Sequence, residues 1–205
     1  MLAALLLLGG CAELTRPRPP EPPMELVGRV AAAPLPLILD AAARDFDPSG
    51  ARFAGRPDVT ALAVARLEWI GGEFRPGRRL APLPDSFRFA SQASVAEARD
   101  VLGISPDASP EAAVAALLAA SRALAAGNQA AIAAALSTPI FSGQGRPVLS
   151  RLSQPGPFPN AALSTVAIRD EVARLVATGQ ASRLPIFDVP QMGFSTTGLG
   201  PATGY

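Results

Sequence analysis

The chain has 205 residues, with 18 basic and 17 acidic side chains and a formal net charge of +1. No block of like charge stands out, which argues against nucleic acid or another polyanion as a partner. All 18 cations are arginines, because lysine and histidine are both absent. The composition therefore excludes imidazole metal ligands, a Ser-His-Asp triad and a lysine nucleophile. We expect no metal, no cofactor and no enzymatic activity.

The N-terminus joins an apolar run, residues 2–8, to the only cysteine of the chain through Leu8, Gly9 and Gly10. This pattern resembles the lipobox of bacterial lipoprotein precursors. The resemblance implies that residues 1–10 are a signal peptide and that Cys11 is lipidated. It also implies a membrane partner through the lipid anchor, on the periplasmic side of a bacterial membrane. Ala12 stands where an aspartate would resemble an inner-membrane retention signal, which slightly favours the outer membrane.

Five of the seven residues from 17 to 23 are prolines. This density excludes a helix and favours an extended polyproline II conformation for the proline-rich segment, residues 13–23. At about 3.1 Å per residue, a tether of this length would hold a folded domain some 30 to 40 Å from the membrane. A ligand for an SH3-like module is the alternative interpretation of the same prolines.

The first elements after the prolines are poorly defined, because Pro34 and Pro36 interrupt any helix that crosses them. Residues 25–33 predict either a short strand or a frayed helix. Residues 35–46 predict a helix with proline in its first turn.

Residues 45–50 resemble the opening of an EF-hand calcium loop, with oxygen donors at positions one, three and five and glycine at position six. Position twelve is Arg56, where such a loop needs a bidentate glutamate. The sequence therefore favours a simple turn over a calcium site.

Residues 57–70 predict a helix that begins at Pro57-Asp58 and is ended by Gly71-Gly72. Its apolar residues fall on one face and are Val59, Leu62, Ala63, Leu67 and Ile70. Trp69 lies beside this face, and we expect it to pack in the core or at its margin.

Residues 74–84 predict a connection that carries Arg75, Arg78 and Arg79. Three arginines in a loop are able to bind a phosphate or a lipid headgroup. Three cations are few for that task, so a solvated loop is favoured.

Residues 85–102 predict the next helix. Ser94 and Glu97 have the spacing of a capping box, which would start this helix at Ser94 instead. The longer helix is preferred, because Phe87 and Phe89 need burial.

The clearest local signals follow. Ser109 and Pro110 predict the start of a helix over 109–126, and Asn128 predicts the cap of a second helix over 128–137. Two helices joined this closely form an αα-hairpin. Because their faces are rich in alanine, we expect a small dry interface rather than a pocket.

Residues 140–159 predict a long irregular connection that holds Phe141 and Phe158. Asn160 is predicted to cap the last helix, which Gly179 ends. The apolar residues of that helix are Leu163, Val166, Ala167, Ile168, Val172, Leu175 and Val176.

Together these elements predict an all-α protein, a small irregular bundle of about five helices between residues 35 and 179. Its parts are a signal peptide over 1–10, a lipidated cysteine and tether over 11–23, a helical domain over 24–179 and a flexible, disordered tail over 180–205.

Three functions are compatible with this organisation. The first is a membrane-anchored, non-catalytic adapter or assembly factor that binds an envelope protein. The second is a carrier of lipid or another small ligand in a cavity between helices. The third is a carboxylate-dependent cell-wall hydrolase with Glu68, Glu73 or Glu97 as the acid. The first is favoured, because it needs no catalytic residues. Alanine-rich helices argue against a large cavity for a carrier, and no acid lies in a recognisable motif for a hydrolase.

Overall fold

The computed structural model describes residues 19–28, 33–142, 146–180 and 184. Within these residues the chain is all-α, as predicted, and no strand is present. The described residues form eight helices rather than about five: α1 Met24–Val27, α2 Pro34–Asp45, α3 Pro57–Gly72, α4 Asp85–Leu102, α5 Pro110–Ala125, α6 Gln129–Leu136, α7 Arg146–Ser153 and α8 Pro159–Ala177. None of the described helices combines the length and apolar character needed to cross a membrane.

Helix α3 is the centre of the bundle. It packs against α2, α4, α5 and α7, with the most extensive contact on α5. Its buried residues lie on nearly every side of the helix rather than on one face, and they are Thr60, Ala61, Ala63, Val64, Ala65, Leu67, Glu68, Trp69, Ile70 and Gly72. The one-sided pattern predicted from the sequence describes only part of this burial, because alanines and charged residues also face neighbouring helices.

Helix α3 ends at Gly72, within the predicted glycine pair, but both glycines belong to the last turn of the helix instead of following it. Both are sites where another helix comes close. A Cβ atom on Gly71 would lie 2.8 Å from Cγ2 of Val95 in α4, and one on Gly72 would lie 3.3 Å from Pro110 at the start of α5. The glycines therefore permit close packing of three helices.

Helices α5 and α6 form the predicted αα-hairpin. The Ser109 side chain accepts a hydrogen bond from the Ala112 amide, and the Asn128 side chain accepts one from the Ala131 amide. Ile132 is buried on the inner side of α6. Local capping chemistry thus places both helix starts where the sequence predicts them.

Helices α4 and α8 pack side by side, and their small residues allow a close approach. The hydroxyl oxygens of Ser94 and Ser164 lie 2.7 Å apart, and Ser94 donates to the Ala90 carbonyl one turn earlier. Ser94 is therefore inside a longer helix, and the alternative start at Ser94 is wrong. Phe89 is 58% exposed, with the Arg88 guanidinium 4.6 Å from its ring centroid, so its predicted burial is also wrong.

The last helix buries fewer apolar residues than predicted. Ile168, Val172 and Leu175 face the core, but the other four are exposed: Leu163, Val166, Ala167 and Val176. Leu184, in the predicted tail, is buried in the core, and the remainder of 181–205 lies outside the described residues.

The connection predicted over 140–159 contains a helix, α7, and the prediction of an irregular segment is wrong there. Phe158 packs edge-on against Phe46 and Phe53, with ring centroids 5.5 Å away in each case. This aromatic cluster joins the end of α2 to the start of α8.

Residues 45–50 form the predicted turn. The Ser49 amide donates to the Asp47 carboxylate at 2.6 Å, and the Gly50 amide donates to the Asp47 carbonyl at 3.0 Å. The Asp45 carboxylate is bound by Arg52 and Arg66. Farther upstream, α1 lies where the sequence left open a short strand or a frayed helix.

The close approach at Gly71 is testable. We predict that Gly71→Ala lowers the free energy of unfolding by about 1–3 kcal/mol, because the added Cβ overpacks against Val95. Alanine is intrinsically the better helix former, so an exposed site would show the opposite sign. Urea denaturation of Gly71→Ala, Val95→Ala and the double variant measures this. The double variant should lose less free energy of unfolding than the two single variants lose together. A Gly71→Ala protein as stable as wild type would contradict the close packing of Gly71 against Val95.

Candidate functional site

The predicted lipidation site, Cys11, lies outside the described residues. The three acids considered for catalysis, Glu68, Glu73 and Glu97, are all described, and each is bound by other groups of the domain.

Glu68 is 1% exposed and forms a two-point ion pair with Arg99 of α4, at 2.7 and 2.8 Å. Arg99 also donates to the Pro106 carbonyl at 2.9 Å, which ties the loop after α4 to the same pair. Burial raises the pKa of the Glu68 carboxyl above its usual range, and the hydrogen bonds from Arg99 oppose this only in part. The pair therefore joins α3, α4 and the loop.

Glu97 caps a helix distant in sequence. Its carboxylate accepts hydrogen bonds from the amides of Asn160 and Ala161, both at 3.1 Å, and from the Asn160 side chain at 3.2 Å. The predicted Asn160 cap is wrong, since Asn160 lies inside the first turn of α8 and the capping oxygens come from α4. A carboxylate at this position also suits the positive end of the helix dipole.

Glu73 pairs with Arg79, and both side chains are buried. One oxygen, Oε2 of Glu73, accepts from the guanidinium at 3.0 Å and from the Arg79 amide at 3.2 Å. The guanidinium lies 5.7 Å from the ring centroid of Trp69. Arg79 is buried, so the prediction that it lies in a solvated loop is wrong. Trp69 is buried as expected.

The three acids do not converge. Glu68 lines a cleft beside Arg99 and Gln92, Glu73 lines a different cleft beside Trp69, and Glu97 lines neither. In the residues that the structure describes, no cluster of three or more acidic, cysteine or histidine side chains is placed to hold a metal ion.

The end of the proline-rich segment is bound to the domain. Arg79 donates through Nη2 to the backbone carbonyls of Pro19, at 3.3 Å, and Pro20, at 3.0 Å. Pro19 is buried, and Pro23 has φ −52° and ψ 137°, in the polyproline II range. We call residues 19–23 the docked segment.

A cleft of about 190 Å³ lies beside the docked segment, between the end of α3 and the start of α5, and we call it the arginine cleft. Its apolar wall is formed by Pro20, Pro23, Trp69, Pro110, Val114 and Ala115. Arg75 and Arg78 form its charged rim, and both bind Glu111. The hydrogen bond from Arg75 is the main reason that the pKa of the Glu111 carboxyl is lowered.

The three arginines of the 74–84 loop thus have different roles. Arg79 binds proline carbonyls, while Arg75 and Arg78 share the single carboxylate of Glu111. Sequence reasoning missed the contact between Arg79 and the prolines, which are about 60 positions apart. The sequence offers one indirect signal of a shared site: Trp69 and Glu73 have the i,i+4 spacing that places two residues on the same side of a helix.

No protein-family profile, no curated protein and no solved structure matches this chain. Its function is therefore inferred from its own side chains and their packing.

The raised pKa of Glu68 has a defined effect on stability. Because the folded-state pKa lies above the ordinary value of 4.5, the folded protein binds more protons than the unfolded one between 4.5 and the shifted value. We predict that the wild type gains stability relative to Glu68→Gln as the pH falls through this window. Urea denaturation as a function of pH checks this, and carboxyl-carbon NMR gives the pKa directly. A Glu68 pKa at or below 4.5 would contradict the assigned effect of burial.

The cap from Glu97 gives a second prediction. Glu97→Ala should lower the free energy of unfolding by about 1 kcal/mol, because two amides at the start of α8 lose their acceptor. The matched control is Asp100→Ala, an exposed acid on the same helix, which should change stability much less. Hydrogen exchange should accelerate at Asn160 and Ala161 in the Glu97 variant alone, and equal exchange in both variants would refute the cap.

Proposed function

We propose that this protein is a membrane-anchored bacterial lipoprotein whose helical domain is non-catalytic and serves as an adapter or assembly factor for an envelope protein. The anchor is Cys11, in the lipobox-like sequence from Leu8 to Cys11. The domain lies on the periplasmic side, with the outer membrane slightly favoured by Ala12.

The observation that carries this proposal is the binding of the docked segment by Arg79. Through this contact the polypeptide that follows Cys11 is attached to the side of the domain before it enters the first helix. Such an attachment suits a domain held at a membrane, because it fixes the side of the domain from which the anchor leaves.

The docked segment also shortens the spacer. Residues 12–18 remain between the anchor and the bound prolines, and in an extended polyproline-like conformation they span about 22 Å. The domain would therefore lie nearer to the membrane than the 30 to 40 Å expected from the sequence.

The non-catalytic part of the proposal is supported by the positions of the acids. Glu68 and Glu73 form buried ion pairs and Glu97 caps α8, so each has a packing role that accounts for it. Glu21 and Glu111 line the same cleft as Glu73, but Arg75 and Arg78 bind Glu111 and lower the pKa of its carboxyl, which favours the ionised form over the protonated form that a general acid for glycan hydrolysis needs.

A carrier is the second candidate, and one observation favours it. A groove of about 310 Å³ between α2 and α8 is lined mainly by apolar side chains, including Pro36, Leu39, Val172 and Val176. This volume is at the lower limit for small-molecule sites. Saturable binding of a fluorescent fatty acid that Val176→Asp abolishes would support the carrier over the adapter.

The anchor is tested by Cys11→Ser. We expect the variant to move from the membrane fraction to the soluble periplasmic fraction, because the thiol is the acyl acceptor. Ala12→Ser is the matched control, since it keeps the cysteine and should stay with the membrane. A Cys11→Ser protein that remains in the membrane fraction would refute the anchor.

The adapter is tested separately by cross-linking in intact cells. Wild type should cross-link to a defined envelope protein, and Cys11→Ser should lose that product because the domain is no longer held at the membrane. If Cys11→Ser leaves the membrane but wild type gives no product, the anchor stands and the adapter does not.

A further inference from the structure

Arg79 recognises the backbone of the docked segment, not its side chains. Its Nη2 group donates to two consecutive proline carbonyls, at 3.3 and 3.0 Å. A polyproline II helix has no internal hydrogen bonds, so its carbonyls are free to accept, and proline offers no backbone donor. A guanidinium, which only donates, is chemically matched to such a peptide.

The recognising group is held in place before any peptide binds. Arg79 is 4% exposed, and Glu73 orients it through both its guanidinium and its backbone amide. A buried guanidinium that lost its acceptors would carry a large desolvation cost. The site therefore requires carbonyl groups, but it does not require those of Pro19 and Pro20 in particular.

The docked segment fills only part of the available surface. The arginine cleft continues beside Pro20 and Pro23 along Trp69, Pro110 and Val114, which are apolar surfaces suited to proline rings. An acid is compatible with this position, since Oε1 of Glu21 lies 3.9 Å from Nη2 of Arg79.

The docked segment is also placed so that it can leave. Pro20, Glu21 and Pro23 are exposed, and of the docked segment only Pro19 is buried. The segment thus lies largely on the surface of the domain and is joined to α1 at Pro23, whose carbonyl accepts from the Leu26 amide at 3.1 Å.

We propose that Arg79 and the adjoining arginine cleft form a binding site for proline-rich peptides, in which a proline-rich, acid-containing segment of another protein replaces the docked segment. The docked segment is then a ligand in cis that competes with the partner. The proposal does not depend on the membrane anchor, because every residue that forms the site lies in the described domain.

The test uses the chain from residue 11 onward with Cys11→Ser, in two forms: one otherwise wild type, the other with Pro19→Gly and Pro20→Gly to weaken the competitor. The probe is a fluorescently labelled peptide of residues 15–23, TRPRPPEPP. Fluorescence anisotropy gives its affinity. The emission of Trp69, the only tryptophan, reports on the cleft itself. The same peptide made of D-amino acids is the control for backbone handedness.

We expect the peptide to bind the glycine form at least about tenfold more tightly than the wild-type form, because a tethered competitor acts at millimolar effective concentration. Arg79→Lys in the glycine form should weaken binding by about tenfold or more, since lysine keeps the charge for Glu73 but lacks the planar fork. Arg169→Lys, an arginine of α8 remote from the cleft in sequence, should have no effect.

A second variant keeps the test valid if Arg79→Lys alters the fold. Ala115 is exposed on the cleft wall, so Ala115→Arg should block the peptide without touching a buried group. Equal affinity for the parent and both variants would overturn the proposal, as would no binding to the glycine form at about 1 mM peptide. A wild-type dimer in light scattering that the peptide dissociates would show that the occupant is a second copy, which would overturn the choice of partner.

Discussion

The rest of the structure depends on the burial of α3 together with its charged side chains. Arg66 and Glu68 lie on this helix, and Glu73 is the residue at its C-terminal cap. They pair with Asp45, Arg99 and Arg79, each from a different neighbouring segment. Because removing one partner would leave a charge buried alone, the neighbours have little freedom to change register. In the Glu68–Arg99 pair the planar guanidinium binds both carboxylate oxygens, a geometry that suits arginine. We infer that the ion pairs set the orientation of α2, α4 and the 74–84 loop around α3.

The sequence predicted those elements whose signals are local. Ser109 and Asn128 cap the helices that follow them, so the hairpin of α5 and α6 could be found from adjacent residues. Gly71 could not be interpreted in the same way, because its role depends on Val95 in another helix. Helix α7 was missed because prolines and glycines dominate its surroundings, although Val148 and Leu152 have helical spacing and are both buried.

The candidate site was predicted in separate parts that the fold brings together. The proline-rich segment was assigned to a tether and Arg79 to a solvated loop, yet they form one contact. No pattern in a single sequence indicates a contact between residues so far apart when neither belongs to a periodic element. The same limit applies to Glu97, whose spacing from Ser94 indicated a local cap while its carboxylate binds the start of α8.

Glu73 couples the docked segment to the fold. The carboxylate that orients the Arg79 guanidinium also accepts from the Arg79 amide, and the Glu73 carbonyl accepts from the Leu80 amide at 2.8 Å. The end of α3, the loop and the proline carbonyls therefore form one hydrogen-bonded unit. Any group that binds the folded unit but not the unfolded chain stabilises it. The docked segment is thus an internal ligand of the domain.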